Sequence, residues 1–319
     1  MTSATYPISS FAVSKYLPLI SLLAIASFGS VVPPAFGQAL IPHVLQLDQD
    51  QLKQQGLGLA QEALQLAQFQ QYDLALARAQ LASQLVPDNA QVWSLLGGLY
   101  LQMRQIDPGI EALLKARELD NKSADILFNL GSAYFRKQEY ETAVRYLQEG
   151  LKIEPDTTGA LFDLGNAYYR LTRYEDAVAQ YEKAVKLDAK FWPGLTNIGL
   201  VRYEQGRVDD AIKQWQAAVA IDGEQAEPQL AIAVALHGKG QTQEALTKGQ
   251  AALKLDIDYA EPEFLQENLW GDRLLAQAKT FLALPEIRDA VSRLRAAPPQ
   301  PQPAPAAPAP APAPAPAPQ

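Results

Sequence analysis

The sequence predicts an all-α protein, a right-handed α-solenoid of six helix-turn-helix repeats with a C-terminal capping helical segment. Three observations predict it. Leu130-Gly131, Leu164-Gly165 and Ile198-Gly199 stand 34 residues apart, with Leu96-Gly97 in the same phase. Ala75, Ala143, Ala177, Ala211 and Ala245 share that phase. Apolar residues also recur at helical spacing: Leu161, Leu164, Gly165 and Tyr168 lie at i, i+3, i+4 and i+7. A unit of this length cannot bury its apolar face alone and must stack on its neighbours.

Composition narrows the function classes. The chain has 319 residues, with 27 basic against 35 acidic side chains, a net charge of −8. No basic cluster or stripe is present, so nucleic acid is not an expected partner. Cysteine is absent and only His43 and His237 are present. Disulfides, thiolate metal sites and thiol nucleophiles are thereby excluded, and no metal or cofactor is expected.

Taken in order, residues 1–37 carry no acid and one base, Lys15, ahead of an apolar run of 17 residues from Tyr16 to Val32. Ala35 and Gly37 suit a cleavage site before Gln38. This is the layout of a secretory signal peptide. The run is also at the lower limit for a membrane span, which leaves a retained N-terminal anchor as the alternative. Either way the repeats are expected beyond a membrane, in a periplasm or a thylakoid lumen. Residues 38–55 form a lead-in, with Leu45, Leu47 and Leu52 as weak apolar contacts.

The units read 56–89, 90–123, 124–157, 158–191, 192–225 and 226–259. The second holds Trp93, Leu96, Gly97 and Tyr100. The third holds Leu130, Gly131, Tyr134, Ala143 and Pro155. The fourth holds Leu164, Gly165, Tyr168, Ala177, Tyr181 and Ala184. The fifth keeps Gly199, Ala211, Trp215 and Ala218, with Arg202 in place of the Tyr. The first and sixth units are degraded, as end repeats with one neighbour should be. This pattern resembles the tetratricopeptide repeat (TPR) family. Gly and Ala let two helix backbones approach, and the large residues fill the space beside them. Pro87 and Pro155 end second helices. Asp88, Asn89 and Asp156 suit turns and helix starts. Gly206 and Gly240 fall in the turn between the two helices of a unit, where a positive φ costs glycine little.

Residues 260–296 form a helical cap. Leu274, Leu275, Ala278, Phe281 and Leu282 make one stripe, and Pro285 opens a last helix. Leu269-Trp270-Gly271 marks either a buried cap tryptophan or a docking element for a partner. Residues 297–319 contain only Ala, Pro and Gln, with 11 of the 23 prolines. They are read as an extended polyproline-II spacer of roughly 70 Å or as a ligand for an envelope partner.

The TPR resemblance implies a concave groove lined by first helices, which binds a peptide. Carried over by phase, the groove residues are Phe128, Asn129, Phe135 and Arg136, then Phe162, Asp163, Asn166, Tyr169 and Arg170, then Asn197 and Tyr203. Asn pairs with backbone amides, Arg with carboxylates, and rings fill side-chain pockets. Phe135, Tyr169 and Tyr203 have packing between repeats as their alternative. TPR domains that clamp chaperone tails use Lys where this chain has Ala60, Asp125 and Gly159, so that partner is excluded. No G-x-x-x-x-G-K-[ST], G-x-S-x-G or H-E-x-x-H motif occurs. Glu139, Glu141, Asp176, Asp209 and Asp210 are read as solvated surface.

The expectation is a non-catalytic interaction scaffold or assembly factor with a protein or peptide partner. The array is similar to exported TPR proteins of cyanobacteria, which implies a membrane complex such as a photosystem. An envelope, outer-membrane or cell-wall assembly adaptor is the alternative. An enzyme or accessory subunit acting on polysaccharide is the third.

Overall fold

The computed structural model describes residues 48–296. The leader at 1–37, residues 38–47 of the lead-in and the tail at 297–319 lie outside the described residues. Every regular element among the described residues is helical. Six helix pairs follow one another: α1 (Gln49–Gln68) with α2 (Tyr72–Leu85), α3 (Ala90–Gln102) with α4 (Ile106–Leu119), and α5 (Ala124–Arg136) with α6 (Tyr140–Ile153). Next come α7 (Thr158–Arg170) with α8 (Tyr174–Leu187), α9 (Trp192–Glu204) with α10 (Val208–Ile221), and α11 (Ala226–Gly238) with α12 (Thr242–Leu255). Each pair packs on the next through α2 on α3, α4 on α5, and so on to α10 on α11. A 3-10 turn (Ile257–Ala260) then leads into α13 (Pro262–Glu267), α14 (Asp272–Leu282) and α15 (Pro285–Ala296). This is an all-α solenoid of stacked helix pairs.

The phased small residues sit where two backbones come closest. A Cβ built on Gly97 would lie 2.6 Å from Leu113 Cγ, and one on Gly131 would lie 2.8 Å from Leu147 Cδ2. One on Gly165 would lie 2.6 Å from Tyr181 Cδ1, and one on Gly199 would lie 2.6 Å from Trp215 Cδ1. The first helices α3, α5, α7 and α9 therefore each receive one large side chain of their own second helix onto a bare glycine, where α1 and α11 have Ala63 and Ala233. Behind this contact Ala75, Ala143, Ala177, Ala211 and Ala245 are fully buried, as are Ala82, Ala116, Ala184, Ala218 and Ala252.

The turn inside each pair is one repeated Schellman motif. Its left-handed residue is Gln70, Arg104, Gln138, Thr172, Gly206 or Gly240, with φ between 57° and 82°. The next residue closes the motif, as in Arg173 N–H donating to Tyr168 O at 2.9 Å. Gly206 and Gly240 take positive φ as the sequence implied. The other four positions adopt it without glycine, because the motif's two hydrogen bonds and the packed helices impose it.

Two boundaries differ from the sequence reading. The first helix begins at Gln49, so most of the described lead-in is helix rather than linker. Asp48 caps it, accepting from Asp50 N at 3.0 Å and Gln51 N at 3.2 Å. Gly56 does not start the helix but lies inside it, where a Cβ would stand 2.9 Å from Leu85 Cβ. The C-terminal segment also does more than cover the end of the array. The 3-10 turn and α15 pack on α12, whereas α14 turns back onto the first helices α9 and α11.

The tight glycines and the strained turn give separable outcomes. Gly199→Ala forces a methyl into the Trp215 indole and should lower stability by about 1–3 kcal/mol. Gly98→Ala, where nothing lies within 4 Å, should raise it by up to about 1 kcal/mol through helix propensity. Thr172→Gly removes a β-branched residue from φ 57° and should also stabilise, by about 1 kcal/mol. Urea unfolding midpoints of the three variants check all three signs.

Candidate functional site

The first helices build one continuous face, and its chemistry is read along two phased rows. One row runs Leu64, Gly98, Ser132, Asn166, Leu200, Val234, and the other runs Gln61, Leu95, Asn129, Asp163, Asn197, Ala231. The face is thus apolar at its N-terminal end, polar over units three and four, and apolar again over units five and six.

The N-terminal end is open. A trough of about 930 Å³ runs across α1, α3 and α5, floored by Leu57, Leu64, Leu95, Leu99 and Phe128. Gln61, Gln91, Ser94, Gln102, Asp125 and Asn129 rim it. Leu57 and Leu64 are 40 % and 51 % exposed, large values for leucine on a helix that packs on its neighbours. Of the residues expected to face a ligand, Phe128 and Asn129 line this trough. Trough residues of units one and two, missed from sequence, carry most of its surface. Of these two units the first reads as degraded, although Leu64 at the phase of Asn166 was the available signal.

The polar middle is stitched to itself. Asn129 Nδ2 donates to Ser94 Oγ at 3.5 Å, and Ser132 Oγ donates to Asp163 Oδ2 at 2.6 Å. Tyr181 Oη and Asn197 Nδ2 both donate to Asn166 Oδ1 at 2.8 Å. Arg136, exposed at its helix end, donates to Leu101 O at 2.7 Å. Each inter-unit bond joins adjacent repeats, so these groups hold neighbouring first helices in register. Burial raises the Asp163 carboxyl above its usual range, and the Ser132 hydrogen bond pulls the other way. Burial likewise raises the Tyr169 and Tyr181 phenols, so both stay neutral donors.

This corrects the expected ligand surface. Asn166 and Asn197 are buried, and so are Tyr169 and Tyr203. The asparagines were expected to gain nothing from facing a neighbour, but the neighbour in phase is itself polar and satisfies them. Tyr203 packs on Trp215, Tyr169 on Tyr174, and Phe135 on Tyr140. Phe162 meets Phe191 edge-on at 5.3 Å and also Tyr181. Phe135, Tyr169 and Tyr203 thus pack on rings of their own unit, where the alternative had them between repeats.

Units four to six are covered by the chain's own C-terminal segment. Leu265, Trp270, Leu274, Ala278 and Phe281 are almost fully buried. Glu204, at the end of α9, accepts from Arg273 N at 3.1 Å and Leu274 N at 2.9 Å, which caps α14. Arg170 Nη2 donates to Gln266 O at 3.0 Å. Trp270 Nε1 donates to Glu227 Oε1 at 3.2 Å, and burial there pushes the Glu227 carboxyl up to about 7. The sequence signal for this cover was α11. Its run from Leu230 to Leu236 is buried throughout, and a helix apolar all round needs a second layer.

Among the described residues no group of three or more His, Asp or Glu could hold a metal ion. A stacked solenoid with an open apolar trough is a protein-interaction architecture. Two family models match, the cytochrome c-type biogenesis protein H TPR domain over residues 43–191 and a TPR repeat model over 199–240. The chain belongs to the tetratricopeptide repeat family, and is a protein-interaction scaffold or assembly factor.

Among solved structures it is similar to PilW, described as a widely conserved type IV pilus biogenesis factor, at 20% identity and a TM-score of 0.59. That match covers 67% of this chain and 98% of PilW. It is also similar to PilF of Pseudomonas aeruginosa, at 17% identity and a TM-score of 0.56, covering 69% of this chain and 98% of PilF. These likenesses are of fold. A search of curated proteins finds no match.

Two outcomes test the site's energetics. Asn166→Ala strands the Tyr181 hydroxyl and leaves the Asn197 amide only its 3.4 Å contact with Tyr181 Oη, and should cost about 1–3 kcal/mol, read by urea unfolding. Glu227 has a folded-state value near 7, above its ordinary 4.5, so its contribution is present below pH 4.5 and lost as pH rises through 7. Glu227→Gln should therefore match the wild type in thermal midpoint at pH 5 and exceed it at pH 8.

Proposed function

We propose that the protein is a non-catalytic scaffold that takes an apolar peptide or helix of a partner into the trough over units one to three. The observation that carries this reading is the trough itself, with leucines exposed on its floor and polar groups at its rim, all neutral but Asp125. A site of this kind recognises side chains by apolar burial and fixes the peptide backbone with Gln and Asn. The two family models add that the chain is built from units whose general use is protein binding rather than catalysis.

The leader at residues 1–37 supports export, to a periplasm or a thylakoid lumen, with the segment cleaved or kept as an anchor. No described helix is long and apolar enough to cross a membrane. The partner we propose is a subunit of a membrane complex such as a photosystem. The second reading, an envelope or outer-membrane assembly adaptor, has PilW beside it as a pilus biogenesis factor of similar fold.

The test is capture from solubilised membranes by the chain lacking residues 1–37, beside its Gly98→Trp variant. Gly98 faces open space at the trough, so an indole fits there without disturbing the array. The wild type should retain a defined partner, and the variant should lose at least nine-tenths of it at unchanged helicity. Thylakoid subunits in the captured set favour the photosystem reading, and pilus, wall or outer-membrane proteins favour the other. Equal capture by both chains would sink the trough assignment, and turnover of a substrate by the purified chain would sink the scaffold reading.

A further inference from the structure

The C-terminal segment is seated on the first-helix face in an unusual way. α14 lies along α9 and α11, the same kind of surface that stands open over units one to three. It presents Leu274, Leu275, Ala278 and Phe281 to the face, an apolar stripe of one amphipathic helix. The segment is therefore shaped as a groove ligand carried on the same chain.

Its seat is incomplete at one end. A cavity of about 150 Å³ remains between the segment and the array, bounded by Tyr169, Arg170, Glu204, Gln266, Trp270 and Gly271. Tyr169 Oη and Arg170 Nε are buried there without a hydrogen-bond partner. Two stranded donors weaken the closed arrangement unless water fills the space. Gly271 brings no side chain to satisfy them, and none would fit. A Cβ there would lie 2.6 Å from both Tyr169 Oη and Glu204 Cγ. Leu269, between α13 and α14, is held at φ 67° by the Schellman motif that ends α13, with Trp270 N–H donating to Leu265 O at 3.0 Å. The polar attachments are Glu204 on the α14 amides, Arg170 on Gln266 O, Glu227 on Trp270 and Gln277 Nε2 against His237 Nδ1, with Gln250 Nε2 donating to Glu286 O at α15.

We infer that residues 257–296 are a displaceable occupant of the groove, and that an amphipathic helix of a partner competes with α14 for the face of units four to six. The competitor needs α14's apolar stripe and an acceptor side chain ahead of its first turn, where Tyr169 Oη and Arg170 Nε are unpaired. Release of the segment joins the trough to the rest of the face and exposes Tyr169, Arg170 and Tyr203. This inference rests on the reading of the first-helix face as the binding surface.

The full chain tests it, with a fluorescent peptide of residues 257–296 as probe. Hydrogen exchange should show 262–282 opening faster than α7 to α12 in the wild type. Gly271→Leu drives a side chain into Glu204 and Tyr169 and should release the segment. That variant should bind the probe at least ten-fold more tightly than the wild type, whose own segment occupies the site. Glu204→Gln keeps the shape and weakens only the cap. It should speed exchange of α14 and give intermediate affinity, and it serves as the readout if Gly271→Leu misfolds. The inference is overturned if α14 exchanges in one cooperative step with α9 and α11. It is equally overturned if neither helical, folded variant binds the probe better than the wild type. The Gly98→Trp capture result is independent of both readouts, so failure of the trough and failure of the displaceable segment are separately visible.

Discussion

The middle of this array depends on one contact, a large side chain of the second helix pressed onto a glycine of the first in units two to five. The glycine is constant at 97, 131, 165 and 199, while its partner grows from Leu113 and Leu147 to Tyr181 and Trp215. The growth has a chemical consequence. A leucine on glycine needs nothing further, but a buried tyrosine or tryptophan brings a polar atom that must be satisfied. Tyr181 finds Asn166, and Trp215 Nε1 donates to Thr196 O at 3.0 Å. Asn166 in turn receives Asn197 from the next unit. The Asn166–Asn197 part of the polar row is thus a result of how the pairs are packed.

That row divides the face into two apolar ends with different fates. Over units five and six Leu200, Ala231 and Val234 are covered by α14, which leaves α9 and α11 buried nearly all round. Over units one and two the same phases hold Leu64, Leu95 and Gly98 with no cover among the described residues. One surface type therefore occurs twice in the array, once occupied by the chain itself and once open. The occupied copy indicates what the open copy accepts: an apolar stripe of one helix, ended by polar groups.

The architecture was legible in the sequence because the glycine and alanine phases are direct records of backbone approach. The second-helix ends at Pro87 and Pro155 and the positive φ at Gly206 and Gly240 were legible for the same local reason. The turn residues Gln70, Arg104, Gln138 and Thr172 were not, since their left-handed backbone comes from the motif around them. The candidate site was legible only at Phe128 and Asn129. Asn166 and Asn197 misled because a polar side chain on a first helix reads as solvent-facing until its partner one repeat away is known. The position of α14 was hidden for a deeper reason. Its amphipathic stripe states that it covers something, but a stripe does not name the surface it covers.

The two ends of the array also differ in how firmly they are held. In a stacked array each unit draws stability from its neighbours, and an end unit has one neighbour fewer. The C-terminal end compensates with α15 and the 3-10 turn on α12, α14 on α11 and one core running from unit three to Ile287. At the N-terminal end the buried clusters are small, with Phe69 and Leu74 at 76 % and 58 % exposure on the first pair. Local opening is drawn from such weakly consolidated regions. The trough bridges α1, α3 and α5, so an apolar segment bound in it contacts three units at once and adds the neighbour that unit one lacks. Binding and consolidation of the N-terminal units are on this account a single event. The open face is placed at the end of the array where occupation changes stability the most.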